Sequence, residues 1–336
     1  MHPISSKQIS NKGASFLEMK RKYSKISLIC LLAAMTLIFV SRAPAQQKKP
    51  EVPYVSTPDE VVAEMLRIAN VDKDDVLYDL GCGDGRIVIT AAKMYGCRGV
   101  GIDIDPERIR ESRENAIKAG VSDKVQFIQM DLFEAEIREA SVVTLYLLSG
   151  VNLRLRPKLF LDLSPGSRVV SHEFSMGKWE PDETSSVKAE NYREPYLFNY
   201  WDEQIADYWR NHKVYLWIIP GNVMGTWKLT IPDFSGNDEF TLRLDQEFQR
   251  VRGQGLEGAS LIAVVIKDVK LKGNKLLFTL ERKLKGRTES FHFEGIIQGN
   301  TMRGTVEIEG GSGKGKIKWR ARRDLSTLRP IINSKK

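Results

Sequence analysis

The sequence predicts an α/β chain in two parts: a doubly wound, Rossmann-like, mostly parallel sheet, then a small antiparallel all-β unit forming a barrel or sandwich. Three observations carry this. Residues 76–86, VLYDLGCGDGR, run from an apolar strand into glycines at 81, 83 and 85 and on into a helical stretch, a strand, glycine loop, helix unit suited to holding a cofactor. Apolar strands then alternate with helices to about residue 220, which implies a mostly parallel sheet covered on both faces. After Gly225 the runs become short and alternating, with Gly-Asn pairs at 273–274 and 299–300 that mark hairpins.

The first 45 residues read as a leader. Lys20, Arg21, Lys22 and Lys25 precede an unbroken apolar and small run from Ile26 to Val40, and Ala43-Pro44-Ala45 forms a small-x-small cleavage signal. Such a segment is a signal peptide or a membrane anchor, with Met19 as an alternative start. In either case the bulk of the chain is expected to be exported or to face outward from a membrane. The leader also explains much of the formal charge of +8: it holds seven Lys/Arg and one acid, residues 46–224 are net −7 and residues 225–336 are net +9. Basicity is therefore a property of the leader and the C-terminal part rather than of the whole molecule.

Residues 46–58, QQKKPEVPYVSTP, form a linker. A helix follows from about Glu60 to Asn70, with Thr57 or Asp59 as its expected cap. The α/β domain spans 59–224. Its strands are expected at 76–80, 98–103, 124–129, 141–147, 168–173 and 214–219, and its helices at 85–95, 106–119 and 152–162. Between 174 and 213 the pattern weakens. Residues 192–209 there carry seven aromatics among charges, which suit a lid, a membrane contact or an inserted helix packed on its own domain. The β-domain spans 225–323, with runs at 226–231, 240–251, 261–271, 275–280, 290–297, 301–308 and 316–321. A tail occupies 324–336.

Three acids keep step with the predicted strands. Asp79 ends the first, Asp103 ends the second 18 residues after Gly85, and Asp131 follows the third beside Leu132 and Phe133. In a doubly wound sheet all three lie at the carboxyl edge, where ligands bind. The loop spacing is G-x-G-x-G rather than the G-x-G-x-x-G of a dinucleotide site. Asp79 and Asp84 beside it would repel a pyrophosphate but favour a cationic amino-acid group, which selects S-adenosylmethionine over NAD. Cys82 and Cys97 are expected as buried thiols, and no cysteine-histidine spacing suggests zinc or another metal.

DLGCGDG, with GIDID and QMDLF, resembles the class I S-adenosylmethionine-dependent methyltransferases over roughly residues 53–220, and the resemblance implies their doubly wound, Rossmann-like sheet of seven strands. In PYVSTP, TLYLL, NLRLRPKL and RVVSHEF the chain is similar to a bacterial group related to the mitochondrial methyltransferases that modify a lysine of the ATP synthase c subunit. The resemblance implies that Asp79, Gly81, Cys82, Gly83 and Gly85 form the methionine-side loop. It implies that Asp103 binds the ribose and Asp131 reaches the adenine edge, with Leu132 suited to flank a purine and Ile104 a further cofactor-binding candidate. Tyr146 in TLYLL and Tyr54 in the linker are the candidates for an acceptor channel, and His172 and Glu173 end the fifth strand.

The implied activity is protein lysine N-methylation on a protein partner, with membrane association. Methylation of a lipid or small molecule at the membrane, or an exported binding protein without turnover, are the rival readings. TLYLLSG stands where many base and glutamine methyltransferases carry an Asn/Asp-Pro-Pro-Tyr loop, so nucleic acid is not the expected partner. Lys314, Lys316, Lys318, Arg320, Arg322 and Arg323 alternate with Trp319 along the last strand. They suit either phosphate binding or the charged guard of a solvated edge strand.

Overall fold

The computed structural model describes residues 49–190, 210–232, 239–258, 262–284, 286–310 and 315–331. The leader and the aromatic stretch at 192–209 lie outside the described residues. Among those described, no helix is long and apolar enough to cross a membrane.

The α/β half runs α1 (Asp59–Ile68), β1 (Val76–Leu80), α2 (Arg86–Tyr95), β2 (Arg98–Asp103), α3 (Pro106–Ala119), β3 (Val125–Gln129), β4 (Val142–Leu145), α4 (Ser149–Asp162), β5 (Arg168–His172), β6 (Glu183–Lys188) and β7 (Asn211–Ile218). Its seven strands are ordered β3-β2-β1-β4-β5-β7-β6. The first five are parallel, and β7 runs antiparallel to both of its neighbours. Strand order reverses between β1 and β4, which opens a crevice at their carboxyl ends.

Side chains of β1 alternate between two cores. Leu77 clusters with Met65, Val88 and Ile109 from α1 to α3. Tyr78 and Leu80 cluster with Leu145, Leu155 and Trp217 on the α4 side. Helix α3 starts as its sequence dictates: the Asp105 side chain accepts the Glu107 N–H at 2.9 Å and Pro106 takes the first position. Helix α1 departs from expectation. It begins after Pro58 with no side-chain cap, and the Thr57 hydroxyl lies 3.4 Å from His172 Nδ1 instead. Strand β6 falls in the stretch where the sequence pattern predicts no element.

The second half is a closed eight-stranded antiparallel barrel, which decides between barrel and sandwich. It comprises β8 (Gly225–Thr230), β9 (Glu239–Glu247), β10 (Arg250–Glu257), β11 (Ile262–Lys272), β12 (Lys275–Leu284), β13 (Arg287–Gln298), β14 (Thr301–Glu309) and β15 (Lys316–Arg323), with β15 pairing back onto β8. The run 240–251, expected as one strand, is two strands turning at Phe248 and Gln249, with Phe248 at φ +56°. The Gly-Asn pairs form two-residue hairpin loops with Gly273 at φ +56° and Gly299 at φ +58°, as a II′ turn requires. Trp227, Leu229, Phe240, Phe278, Phe291 and Trp319 fill the interior, as side chains do in barrels of this strand number. Arg282 also points inward, paired with Glu257 and, at 2.7 Å, with Glu289.

The described residues from Pro50 onward belong to one compact unit, and the β9–β10 hairpin shows why. Phe248 packs on Phe160 and Trp179, with ring centroids 5.9 and 6.1 Å apart. Beside it Gln249 Nε2 donates to the Glu180 carbonyl at 2.7 Å, and Arg250 pairs with the Glu180 carboxylate.

Candidate functional site

The glycine loop joins β1 to α2 in left-handed backbone, with φ of +89°, +52° and +81° at Gly81, Gly83 and Gly85. The N–H groups of Gly81 and Cys82 donate to the Ile102 carbonyl at 2.8 and 3.0 Å, which ties the loop to β2. Contact on the glycines leaves no room for side chains: a Cβ on Gly83 would lie 2.4 Å from the Tyr54 ring, and one on Gly85 2.7 Å from Phe127. Asp103, at the end of β2, completes the loop. Its carboxylate accepts the Gly83 N–H and the Asp105 N–H, each at 2.9 Å.

Asp79 shares its face of β1 with Leu77, two residues earlier, so it is buried, with 2% exposure. It accepts the Thr144 hydroxyl at 2.8 Å. Burial pushes its carboxyl up to about 7, opposed by that hydrogen bond and reinforced by the nearby Asp103 and Asp84. Asp84 behaves differently from the expectation that it adds a second free negative charge. Burial acts to raise its carboxyl, but the Arg86 guanidinium, 2.6 Å away, overrides that and holds it below its usual value. Arg86 also donates to the Thr57 carbonyl at 2.9 Å, so this ion pair anchors the loop to the linker. The discrimination between cofactors by charge therefore rests on Asp79.

Asp131 follows β3, and its carboxylate accepts the Phe133 N–H at 3.0 Å. Ile104 and Leu132 are half-buried at the same edge of the sheet. Cys82 and Cys97 are unpaired and buried, and burial pushes both thiols up.

The two candidate tyrosines occupy different surroundings. Tyr54 covers Gly83, with the Arg108 guanidinium 4.7 Å from its ring centre. Tyr146, just past β4, packs its ring 3.9 Å from that of His172 and 6.2 Å from that of Phe174. His172 is fully buried, and its Nε2 lies 2.9 Å from His212 Nδ1. Burial, helped by His212, holds His172 well below the usual histidine value, so it is neutral at physiological pH. Glu173 takes a left-handed backbone at φ +61° and lies 3.4 Å from His212 Nδ1. Ligand-type atoms of His172, Glu173 and His212 all fall within 4.8 Å of one another, a grouping with no counterpart in the sequence spacing. His212 meets His172 because β5 and β7 are antiparallel, with His172 opposite Val214. Thr144, Arg86 and His212 are the site residues that sequence reading misses. Only Arg86, two positions from Asp84, lies within its reach.

A family model for the ANTKMT methyltransferase domain matches residues 79–183. The chain is 47% identical over 171 residues to a protein-lysine N-methyltransferase of Saccharolobus islandicus (strain REY15A), covering 51% of this chain and 95% of that protein. It is 35% identical over 152 residues to the Mus musculus lysine N-methyltransferase of the ATP synthase c subunit, covering 45% of this chain and 60%, less than two thirds, of that relative. A crystal structure of an RNA methyltransferase from Salinibacter ruber in complex with S-adenosyl-L-homocysteine aligns at 52% identity with a TM-score of 0.42, over 50% of this chain and 96% of that chain. The reversed strand order at β1 and β4, the glycine loop and the acids at the strand ends define a class I methyltransferase. The chain belongs to the protein-lysine N-methyltransferase family, whose cofactor is S-adenosyl-L-methionine.

Proposed function

We propose that this chain transfers a methyl group from S-adenosylmethionine to the side-chain amine of a lysine in a protein. The observation that carries the reading is the 47% identity extending over 95% of a protein-lysine N-methyltransferase. The chain's own residues fit the cofactor. Three glycines in left-handed backbone make the cradle, two of them, Gly83 and Gly85, without room for a Cβ, and the buried Asp79 carboxyl needs a cationic partner to ionise cheaply. In this reading Asp79, Gly81, Cys82, Gly83 and Gly85 hold the amino-acid end, Asp103 and Ile104 the ribose, and Asp131 and Leu132 the adenine.

When bound, the cofactor supplies a methyl group already activated by its sulfonium. What remains for the protein is to present the acceptor in line and dry. A lysine must also arrive without its proton, which burial favours. Tyr146, packed at a tilt against a neutral and buried His172, lines the acceptor side in this reading, and Tyr54 closes over the glycine loop. The leader expected at 1–45 would deliver this activity to or across a membrane.

The test is to incubate the full chain with methyl-labelled S-adenosylmethionine and membrane and soluble fractions, then hydrolyse the labelled protein and identify the modified residue. Methyllysine is expected. Label confined to lipid, or to another amino acid, refutes the lysine reading. Asp103→Ala serves as the control: calorimetry should show its cofactor affinity reduced about 10- to 100-fold, the worth of a hydrogen-bonded charge.

A further inference from the structure

Closure of the barrel changes the meaning of its basic last strand. Charges that guard a solvated edge have no such task on β15, which is hydrogen-bonded to β14 on one side and β8 on the other. Lys318, Arg320 and Arg322 point outward at alternate positions. Arg303 of β14 stands directly opposite Arg320, and Lys228 of β8 directly opposite Arg322. All five are exposed, and among the described residues none forms an ion pair. Like charges placed opposite one another across strands oppose folding, so the barrel carries two unfavourable pairs side by side.

The acids around the patch are committed elsewhere or lie at its rim. Glu307 faces Lys316 across the strands and Glu294 pairs with Lys275 at 2.7 Å; Asp324 caps the turn after β15 at the rim, its carboxyl held low chiefly by Ser326 and in part by Lys228. Glu239 stands at the start of β9, opposite Thr230.

We propose that this face of the barrel, built on Lys228, Arg303, Lys318, Arg320 and Arg322, docks the protein onto a bilayer containing anionic lipid. Charge complementarity selects an anionic partner. The shape of the face selects a surface rather than a strand of nucleic acid: it is the convex wall of a barrel, and Trp227 and Trp319 point inward and are buried, leaving no rings there on which unpaired bases could stack. The apolar run Ile26–Val40, expected to bring the chain to a membrane, fits the same partner. Spacing of about 6.6 Å along the strand and about 4.8 Å between strands packs the cations densely enough to engage several headgroups together. Each basic residue near an anionic leaflet contributes roughly a fivefold gain in partitioning, so five together give on the order of a thousandfold.

The experiment titrates the full chain with vesicles of pure phosphatidylcholine and with vesicles containing about one third phosphatidylglycerol, at low and high ionic strength. The leader carries its own net positive charge, and its share of the preference is common to wild type and variant and cancels when the two are compared. A strong preference for phosphatidylglycerol that collapses with salt is expected, and the barrel's share of it is the part that the variant loses. The variant Arg303→Gln, Lys318→Gln, Arg320→Gln, Arg322→Gln removes charge without touching the interior, and its preference is expected to fall by a hundredfold or more. Wild-type chain that does not distinguish the two vesicles overturns the proposal, as does a folded variant that keeps the preference. Binding of a single-stranded RNA oligomer through these residues, without preference for phosphatidylglycerol, overturns it in favour of nucleic acid.

Discussion

At Asp79 a single proton links stability to cofactor binding. The folded carboxyl titrates at about 7 against an unfolded value of 3.8. The folded state therefore holds more protons than the unfolded state between those values, and stability is greatest below about pH 4 and is lost as pH rises through 7. The loss is on the order of 4 kcal/mol for a shift of this size. Asp79→Asn is expected to flatten that part of the pH-stability curve in denaturant titrations. Binding a cationic group beside Asp79 requires the ionised form. Affinity for S-adenosylmethionine, measured by calorimetry, is thus expected to fall about tenfold per pH unit below 7, and to become weak and insensitive to pH in the variant.

Gly83 provides a second measurement at this scale. Gly83→Ala must adopt φ +52° and displace the Tyr54 ring, whereas Gly120→Ala at φ +71° meets nothing within 4 Å. Both are expected to lose about 1 kcal/mol to backbone strain. Only Gly83→Ala should lose a further increment and weaken cofactor binding, which thermal melts with and without cofactor would read.

Among the elements, those with strong local signals are legible in the sequence and those defined by long-range pairing are not. The strand, glycine loop and helix at 76–95 and the Gly-Asn hairpins announce themselves because glycine is required where φ is positive. β6 leaves no such trace because ETSSVK contains one apolar residue, Val187, and forms the exposed edge of the sheet. The β9–β10 hairpin is hidden because Phe248, an aromatic, holds the left-handed turn position. In the candidate cofactor site, Asp79, the glycines and Asp103 are readable from the sequence. The His172–His212 contact is not, since it depends on the register of two antiparallel strands 40 positions apart. In the barrel, Arg282 on β12 joins Glu257 on β10 and Glu289 on β13, all largely buried. Arg282→Leu leaves two carboxylates there without their cation, and is expected to cost about 3–5 kcal/mol in urea unfolding. Adding Glu257→Leu and Glu289→Gln should recover most of that loss.

For the whole molecule, an enzyme sheet and a barrel coexist in one chain although the family model covers only residues 79–183. The relative from Saccharolobus islandicus matches about half of this chain yet nearly all of its own length, so about half of this chain lies outside what the two share. The basic wall proposed above for docking onto anionic lipid belongs to the barrel, outside the residues that the family model matches.

Phe248 governs how the two halves melt. Its ring belongs to a barrel hairpin but packs within the sheet's own apolar cluster, against Phe160 and Trp179. Neither half can lose its packing without exposing aromatic surface of the other, so calorimetry should record a single cooperative endotherm rather than two. Phe248→Ala is expected to cost about 3–5 kcal/mol and to split that endotherm. A lone side chain would then set whether this protein behaves, on heating, as one thermodynamic domain or as two.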